Sequence, residues 1–348
     1  MTLERTMNYF SSQIDEKAKI SISDYLPGPD SDDSIKYIVE GLNATPKYIS
    51  SKFFYDAYGS ELFEQITGLE EYYPSRTEKS ILKSVASELV ATKKYLNIIE
   101  LGSGDSSKIS ILLDAIPEND LESIRYFPVD VSESAILKSS EFLSYRYPEI
   151  EIHGLLADFM EHLTKLPGRG ARLICFFGST LGNLSRQQSI GFLKDLKDRM
   201  QPGDSVLIGL DMVKDINKLE DAYNDKQGVT SAFNKNILRV VNQILKSDFS
   251  PENFEHYAFY DSRKARIEMH LNALRNMEVS SPFFQQNINL RKGESIHTEN
   301  SHKFTPEHIS DLAILSGLSI RKIYSDKNNW FNLVHFEYPE KKAMPYEK

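Results

Sequence analysis

Between Asn97 and Asp211, short runs rich in Ile, Val and Phe alternate with stretches of helical periodicity, and this alternation limits the possible folds more than any other feature of the chain. Strands joined in series through helices form a parallel sheet with helices on its faces. The runs predict five parallel strands, at Asn97 to Leu101, Ile124 to Val129, Glu151 to Leu156, Arg172 to Phe177 and Ser205 to Leu210. Before the last of them, Ser185 with Gln188 three residues on reads as a capping box. Ile190, Leu193, Leu196 and Met200 then recur at helical spacing until Pro202-Gly203 stops the helix. Ser319 to Tyr324 and Trp330 to Phe336, separated by Ser325-Asp326-Lys327-Asn328-Asn329, read as a hairpin able to complete the sheet edge. Met212 to His302 carries long helical patterns and then strand-like runs at His256 to Asp261 and Arg266 to Leu271, an insertion expected to form a second domain.

Composition narrows the function. With 348 residues, 40% hydrophobic and 26% charged, the chain can bury a sizeable core and has room for two domains. A net charge of −9 and a pI near 5.5 disfavour phosphate backbones and anionic lipid as partners, and no run of basic residues overrides that average. The single cysteine, Cys175, lies in an apolar run, which leaves no pair for a disulfide and no thiol cluster for a metal. The N-terminus lacks the pattern of a signal peptide, and no apolar stretch approaches the roughly 20 residues that span a bilayer. A cytoplasmic, monomeric enzyme acting on a small molecule is the expectation. Residues 1 to about 25 are polar and lead into Pro27-Gly28-Pro29-Asp30, so this head reads as peripheral.

Glu100-Leu101-Gly102-Ser103-Gly104-Asp105-Ser106-Ser107-Lys108 follows the first strand and opens a helix with Ile109, Leu112 and Leu113 on one face. Glycines at such a turn let a ligand approach the backbone with no Cβ in the way. A dinucleotide fingerprint wants a third glycine where this chain has Ser107. The shorter Glu-x-Gly-x-Gly form is similar to the first motif of S-adenosylmethionine methyltransferases, whose turn receives a methionine moiety and needs no diphosphate cradle. Two acids then fall at strand ends, where open α/β sheets bind ligands. Asp130, after the second strand, is placed to accept from ribose hydroxyls. Asp158, after the third, can accept from an adenine amino group while Phe159 lies against the ring. Singly, each aspartate reads equally well as a helix N-cap; together, three strand ends address one ligand.

After the fourth strand comes Gly178-Ser179-Thr180-Leu181-Gly182-Asn183-Leu184, a polar turn where the transferred group must meet its acceptor. Asn183 offers both a donor and an acceptor, enough to hold an amine and a carboxylate of one amino acid. The run from Phe53 to Thr67 (FFYDAYGSELFEQIT), with Glu71-Tyr72-Tyr73-Pro74-Ser75-Arg76 soon after, resembles the histidine-specific Nα-methyltransferases of ergothioneine biosynthesis. The resemblance continues through Glu100 to Lys108, Val129 to Glu133, Gly178 to Leu184, Asp211 to Asp215, Gly228 to Asn234, Arg266 to Met269 and Glu299 to Phe304, spanning residues 45 to 336.

The resemblance implies a Rossmann-like α/β methyltransferase domain with a smaller α+β domain closing over histidine, S-adenosyl-L-methionine as cofactor, and trimethylhistidine (hercynine) made by three transfers. It divides the chain into a peripheral segment (1–23), a discontinuous substrate-binding domain (24–77 and 211–302) and the methyltransferase domain (78–210 and 303–348). Gly102, Lys108, Asp130, Asp158 and Phe159 fall on cofactor positions. Tyr55, Phe63, Tyr72, Gly178, Asn183, Tyr223, Met269, Glu299 and Ser301 fall on histidine-pocket positions, with Asn183 and Tyr55 nearest the chemistry. Asn183 and Tyr223 can take the α-carboxylate and amine, and the Gly178 carbonyl can accept from the ammonium. Glu299 and Ser301, two apart, share one face of an extended segment and can address the two imidazole nitrogens. Relatives acting on tryptophan-like substrates are expected to lack that polar pair and the equivalent of Met269. Tyr55 and Phe63 can surround the increasingly methylated nitrogen. Displacement at a sulfonium needs a neutral amine, alignment and excluded water rather than a strong base, although Tyr55 or a water can assist. His297 and His302 flank Glu299 at a spacing that fits no zinc signature, and no metal is expected. The competing readings are an Nα-methyltransferase for another aromatic amino acid or a histidine derivative, and a catalytically silent S-adenosylmethionine-binding module.

Overall fold

The computed structural model describes residues 5–7, 20–26, 31–91, 97–168 and 170–339. Its largest feature is a nine-stranded sheet whose centre is built from the alternating segment. In spatial order the parallel strands are Glu151–Leu156, Arg125–Asp130, Asn97–Leu101, Arg172–Phe176 and Ser205–Asp211, each with helical crossover elements before the next. The strands Asn97–Leu101, Arg172–Phe176 and Ser205–Asp211 are buried along their whole length, as strands covered on both faces must be. Ile99 and Leu101 enter one core layer and Ile98 the other, which is the two-residue alternation of a strand. Phe331–Glu337 pairs antiparallel with Ser205–Asp211 and carries Ser319–Ser325 as the outer strand, so the C-terminal hairpin closes that edge as its sequence predicts. The chain order reverses between the first strand, Asn97–Leu101, and the fourth, Arg172–Phe176, and ligands bind at such a switch point.

The other edge departs from expectation. Ile20–Asp24, inside the head read as peripheral, runs parallel to Glu151–Leu156 and belongs to the main sheet, with Arg5–Met7 antiparallel outside it. The reason is local: Ile22 is buried against Ile136 and Leu156, a short apolar contact that the surrounding polar residues mask in a sequence. Residues 1–4 and 8–19 lie outside the described residues.

A second hydrophobic core draws its residues from two distant stretches, Ile38 to Tyr73 and Leu219 to Ile296. It holds the helices Asp32–Asn43, Ala57–Gly68 and Val229–Leu245 against a four-stranded sheet in the order Lys47–Tyr48, Ser295–His302, Arg266–Ala273, Phe254–Asp261. The helix Tyr73–Ala91 then leads away and packs Ile81, Leu82 and Leu89 into the core of the main sheet. The two bodies meet where the short helical turn Thr180–Asn183 lies on the strand Ser295–His302. A Cβ on Gly182 would stand 2.7 Å from the His302 carbonyl oxygen, so only glycine permits that approach.

Candidate active site

The first turn of the main sheet is shaped by its two glycines. Gly102 and Gly104 adopt φ of 66° and 48°, left-handed values that a side chain resists. The N–H of Gly102 donates to the carbonyl of Val129 at 2.8 Å, and that of Gly104 to Asp130 Oδ2 at 3.0 Å, which ties the turn to the neighbouring strand end. Asp130 also accepts from the N–H of Ser132 at 3.0 Å through Oδ1. Burial raises its pKa, with these backbone N–H groups pulling the other way. Each of its oxygens still has a lone pair for a hydroxyl donor. Asp158 accepts from the N–H of Met160 through Oδ1. Phe159 stands edge-on to Phe176 and Phe192, its ring 4.0 Å from where a Cβ on Gly102 would be. Four of the five expected cofactor residues thus stand at or just beyond the strand ends.

Lys108, the fifth, faces the adjoining loop. Its ammonium lies 2.9 Å from Glu78 Oε2, and Glu78 also accepts from the N–H of Gly178 at 2.8 Å. Glu78 is fully buried on the helix Tyr73–Ala91. Burial lowers the pKa of Lys108, but the charge of Glu78 and its hydrogen bond more than offset this and raise it overall. A buried carboxylate therefore couples the lysine that follows the first turn to the loop that begins at Gly178. The reading of the sequence missed Glu78; its polar neighbours Thr77 and Lys79 give it the look of an exposed helical glutamate.

That loop borders a partly open cavity between the two bodies, and all nine expected pocket residues line it: Tyr55, Phe63, Tyr72, Gly178, Asn183, Tyr223, Met269, Glu299 and Ser301. Phe233, on the helix Val229–Leu245, joins them and was not anticipated, since in sequence it is one more apolar position of an amphipathic helix. The rings of Tyr55, Phe63 and Phe233 stand 5.8 Å apart pairwise, and Tyr72 bridges Phe63 and Tyr223 at 6.4 and 6.2 Å. Asn183 closes the turn Thr180–Asn183, and among the described residues its amide has no hydrogen-bond partner. Burial, then the charge of Glu299, raises the pKa of Tyr55 well above that of a free phenol. It is therefore a neutral hydrogen-bonding group near neutral pH, not a base.

The strand Ser295–His302 supplies the opposite wall. Glu299 and Ser301 both reach the cavity, as their spacing requires. Burial pushes the Glu299 carboxyl up to about 7, with the Lys303 ammonium pulling it down. Asp211, at the end of its strand, accepts from the hydroxyl of Tyr73 at 2.8 Å and from the ammonium groups of Lys214 and Lys303, while its N–H donates to Ser179 Oγ at 2.9 Å. Burial alone would raise its pKa; the two lysines hold it below the usual carboxylate range.

The histidines flanking Glu299 lie elsewhere. His297 groups with His270 and Glu268, one ligand atom of each within 4.8 Å of the others. Glu268, however, is already paired with Arg266 and Lys264, and despite its burial these partners hold its pKa at about 2. Two cations on the one carboxylate make this group an ion-pair network, in which a divalent metal would meet local positive charge.

A family model described as histidine-specific methyltransferase, SAM-dependent, matches residues 34–338. The chain is 41% identical to a histidine N-alpha-methyltransferase of Mycolicibacterium smegmatis over 90% of its own length and 98% of that protein's. Against the protein of the same name from Mycobacterium tuberculosis the identity is 40%, over 85% and 92%. Ergothioneine biosynthesis protein 1 of Neurospora crassa is 31% identical over 78% of this chain, which spans 31% of that longer protein.

Proposed function

The chain belongs to the S-adenosylmethionine-dependent, histidine-specific methyltransferase family, and from that membership we propose that it transfers methyl groups from S-adenosyl-L-methionine to the α-amino nitrogen of free L-histidine. Three transfers give trimethylhistidine, the first step toward ergothioneine. The observation that carries the reading is that Glu299 and Ser301 share one cavity with Asn183 and an aromatic cage. A carboxylate and a hydroxyl on one strand face suit a ring with two nitrogens, whereas the cage suits an amine that becomes quaternary.

The residues present fit the cofactor. The turn at Gly102 and Gly104 leaves its backbone open, Asp130 and Asp158 retain free acceptor capacity for ribose hydroxyls and the adenine amino group, and Phe159 offers a ring beside them. When bound, S-adenosylmethionine supplies a methyl group on an electrophilic sulfonium. The protein's own residues do the rest. Asn183 can take the α-carboxylate and amine, and the Gly178 carbonyl can accept from the ammonium, turning the nitrogen toward the cofactor. The amine loses its proton to solvent, since an α-amine has a pKa of about 8. Tyr55, Phe63 and Phe233 exclude water and present ring faces, which attract a methylated ammonium within about 6 Å. Positioning supplies most of the acceleration.

On this reading the 24–77 and 211–302 segments form the substrate-binding domain, although the helix Tyr73–Ala91 packs with the main sheet. Among the described residues no helix is long and apolar enough to cross a membrane, and a cytoplasmic monomer without nucleic-acid or membrane partners completes the proposal. Mass spectrometry of histidine incubated with protein and S-adenosylmethionine tests it. Successive gain of three methyl groups is expected, and methylation of tryptophan or tyrosine with none of histidine refutes the substrate.

A further inference from the structure

Beneath the ring-facing wall lies a buried cation that the proposed chemistry leaves unused. Lys303 follows the strand Ser295–His302 and is 1% exposed. Its ammonium lies 2.8 Å from Asp211 Oδ2, 2.9 Å from Ser301 Oγ and 3.0 Å from the Tyr223 hydroxyl. An ammonium has three protons, and these three acceptors use them all. Tyr223 accepts from Lys303 and donates its own proton to Ser301 Oγ at 2.7 Å. Ser301 Oγ thus accepts twice, which fills both lone pairs of a hydroxyl. What remains is its O–H, on a side chain that lines the cavity. Asp211, itself held by Tyr73 and Lys214, fixes the lysine in place.

Resting on the histidine reading, we infer that Lys303 is a positioning and specificity-determining residue. By filling the acceptor sites of Ser301, it makes that hydroxyl a donor only, so the pocket takes a neutral imidazole in one tautomer, with its N–H on Glu299 and its bare nitrogen on Ser301. An imidazolium would bring a second N–H to an oxygen with no lone pair left. An indole has no second nitrogen to receive the Ser301 proton, and a buried donor left unmade weakens binding by on the order of tenfold or more. Glu299 alone accepts an N–H from either ring; the Lys303-directed hydroxyl separates them.

The test is nitrogen NMR of ring-15N-labelled L-histidine bound to the full chain with S-adenosylhomocysteine, near pH 6.5, where the free ring is about half protonated. One protonated and one bare ring nitrogen, without exchange averaging, is the expected signature. Two protonated nitrogens, or an averaged pair, overturn the inference while leaving histidine as substrate; no binding of labelled histidine at all overturns the substrate reading and this inference with it. Lys303→Met returns a lone pair to Ser301, so the bound ring should become partly protonated or tautomer-averaged. The KM for histidine should then rise on the order of tenfold, with kcat changed less. A folded Lys303→Met protein with the wild-type nitrogen spectrum refutes the role of the lysine. Should that variant not fold, Ser301→Ala keeps the lysine and removes the donor together with the acceptor that Lys303 and Tyr223 share. A KM increase on the order of tenfold with kcat nearly kept is expected, and an unchanged KM counts against the inference.

Discussion

On the proposed reading, Glu299 is set by its surroundings to meet a ring nitrogen. Buried in the cavity wall, its carboxyl is pushed up to about 7 by burial against the pull of Lys303, and it accepts an imidazole N–H most strongly when ionised. Glu299→Ala should weaken histidine binding by about 1–3 kcal/mol, the cost of a buried polar partner lost, and leave cofactor affinity unchanged. Calorimetry showing equal losses for the two ligands would contradict the assignment. The same ionisation, joined to the need for a deprotonated amine with a pKa of about 8, should make kcat/KM rise with pH from 6 to 8.5; a flat profile over that range would show that neither group limits the reaction. Glu299 and Ser301 were legible in the sequence because strand geometry gives residues two apart a common face. Lys303, two further on, follows the same alternation, yet a lysine in a polar stretch reads as solvated. Its burial depends on Asp211 and Tyr223, which the fold brings to it from the far side of the insertion.

The parallel strands were legible to within a residue or so at their ends, because a strand covered on both faces must be apolar along its length and turn residues bound it. Ile20–Asp24 was not, since a short edge strand with a single buried isoleucine carries too little pattern. The helix Tyr73–Ala91 was placed partly in each domain, and the structure shows why that element matters. It runs from Tyr73, bonded to Asp211, through Glu78, which holds the Gly178 N–H at 2.8 Å and Lys108 at 2.9 Å, and on into the main core. One helix thereby sets the spacing between Lys108, just after the Gly102–Gly104 turn, and the loop that begins at Gly178, by a contact 100 residues apart in the chain. Glu78→Gln keeps the size and an acceptor for Gly178 but leaves Lys108 without a counter-charge. It should cost about 1–3 kcal/mol in stability by denaturant titration and lower kcat about tenfold through a displaced Gly178. If stability falls and kcat is kept, Glu78 is a packing group alone.

At the scale of the whole molecule, the requirements of the site and of the fold pull apart as pH changes. His256, His270, His297 and His302 all have pKa values lowered by burial from the ordinary 6.5, His302 to about 4. Below 6.5 the unfolded chain binds protons that the folded one refuses, so stability should rise as pH climbs from 4 to about 6.5. Glu100, buried beneath the first motif and bonded to Tyr126, is pushed by burial from 4.5 up to about 8, and Glu299 to about 7. Here the folded state holds protons that the unfolded chain has already released, so these two groups lower stability from about pH 4.5 up to 7 and 8, against the histidines below 6.5 and unopposed by them above it. Asp211, lowered by its lysines, keeps its contribution across this whole range and loses it only in strong acid. Thermal unfolding of the ligand-free protein at constant ionic strength should therefore show a maximum near pH 6.5, below the pH at which turnover is fastest. Glu299→Gln, which removes one of the two raised carboxyls, should make the alkaline decline shallower. A melting temperature that climbs steadily to pH 8, or a Glu299→Gln protein with an unaltered decline, would mean that these carboxyls are ionised in the folded chain. The cavity would then hold its negative charge without a ligand, and burial would not be what governs the Glu299 carboxyl.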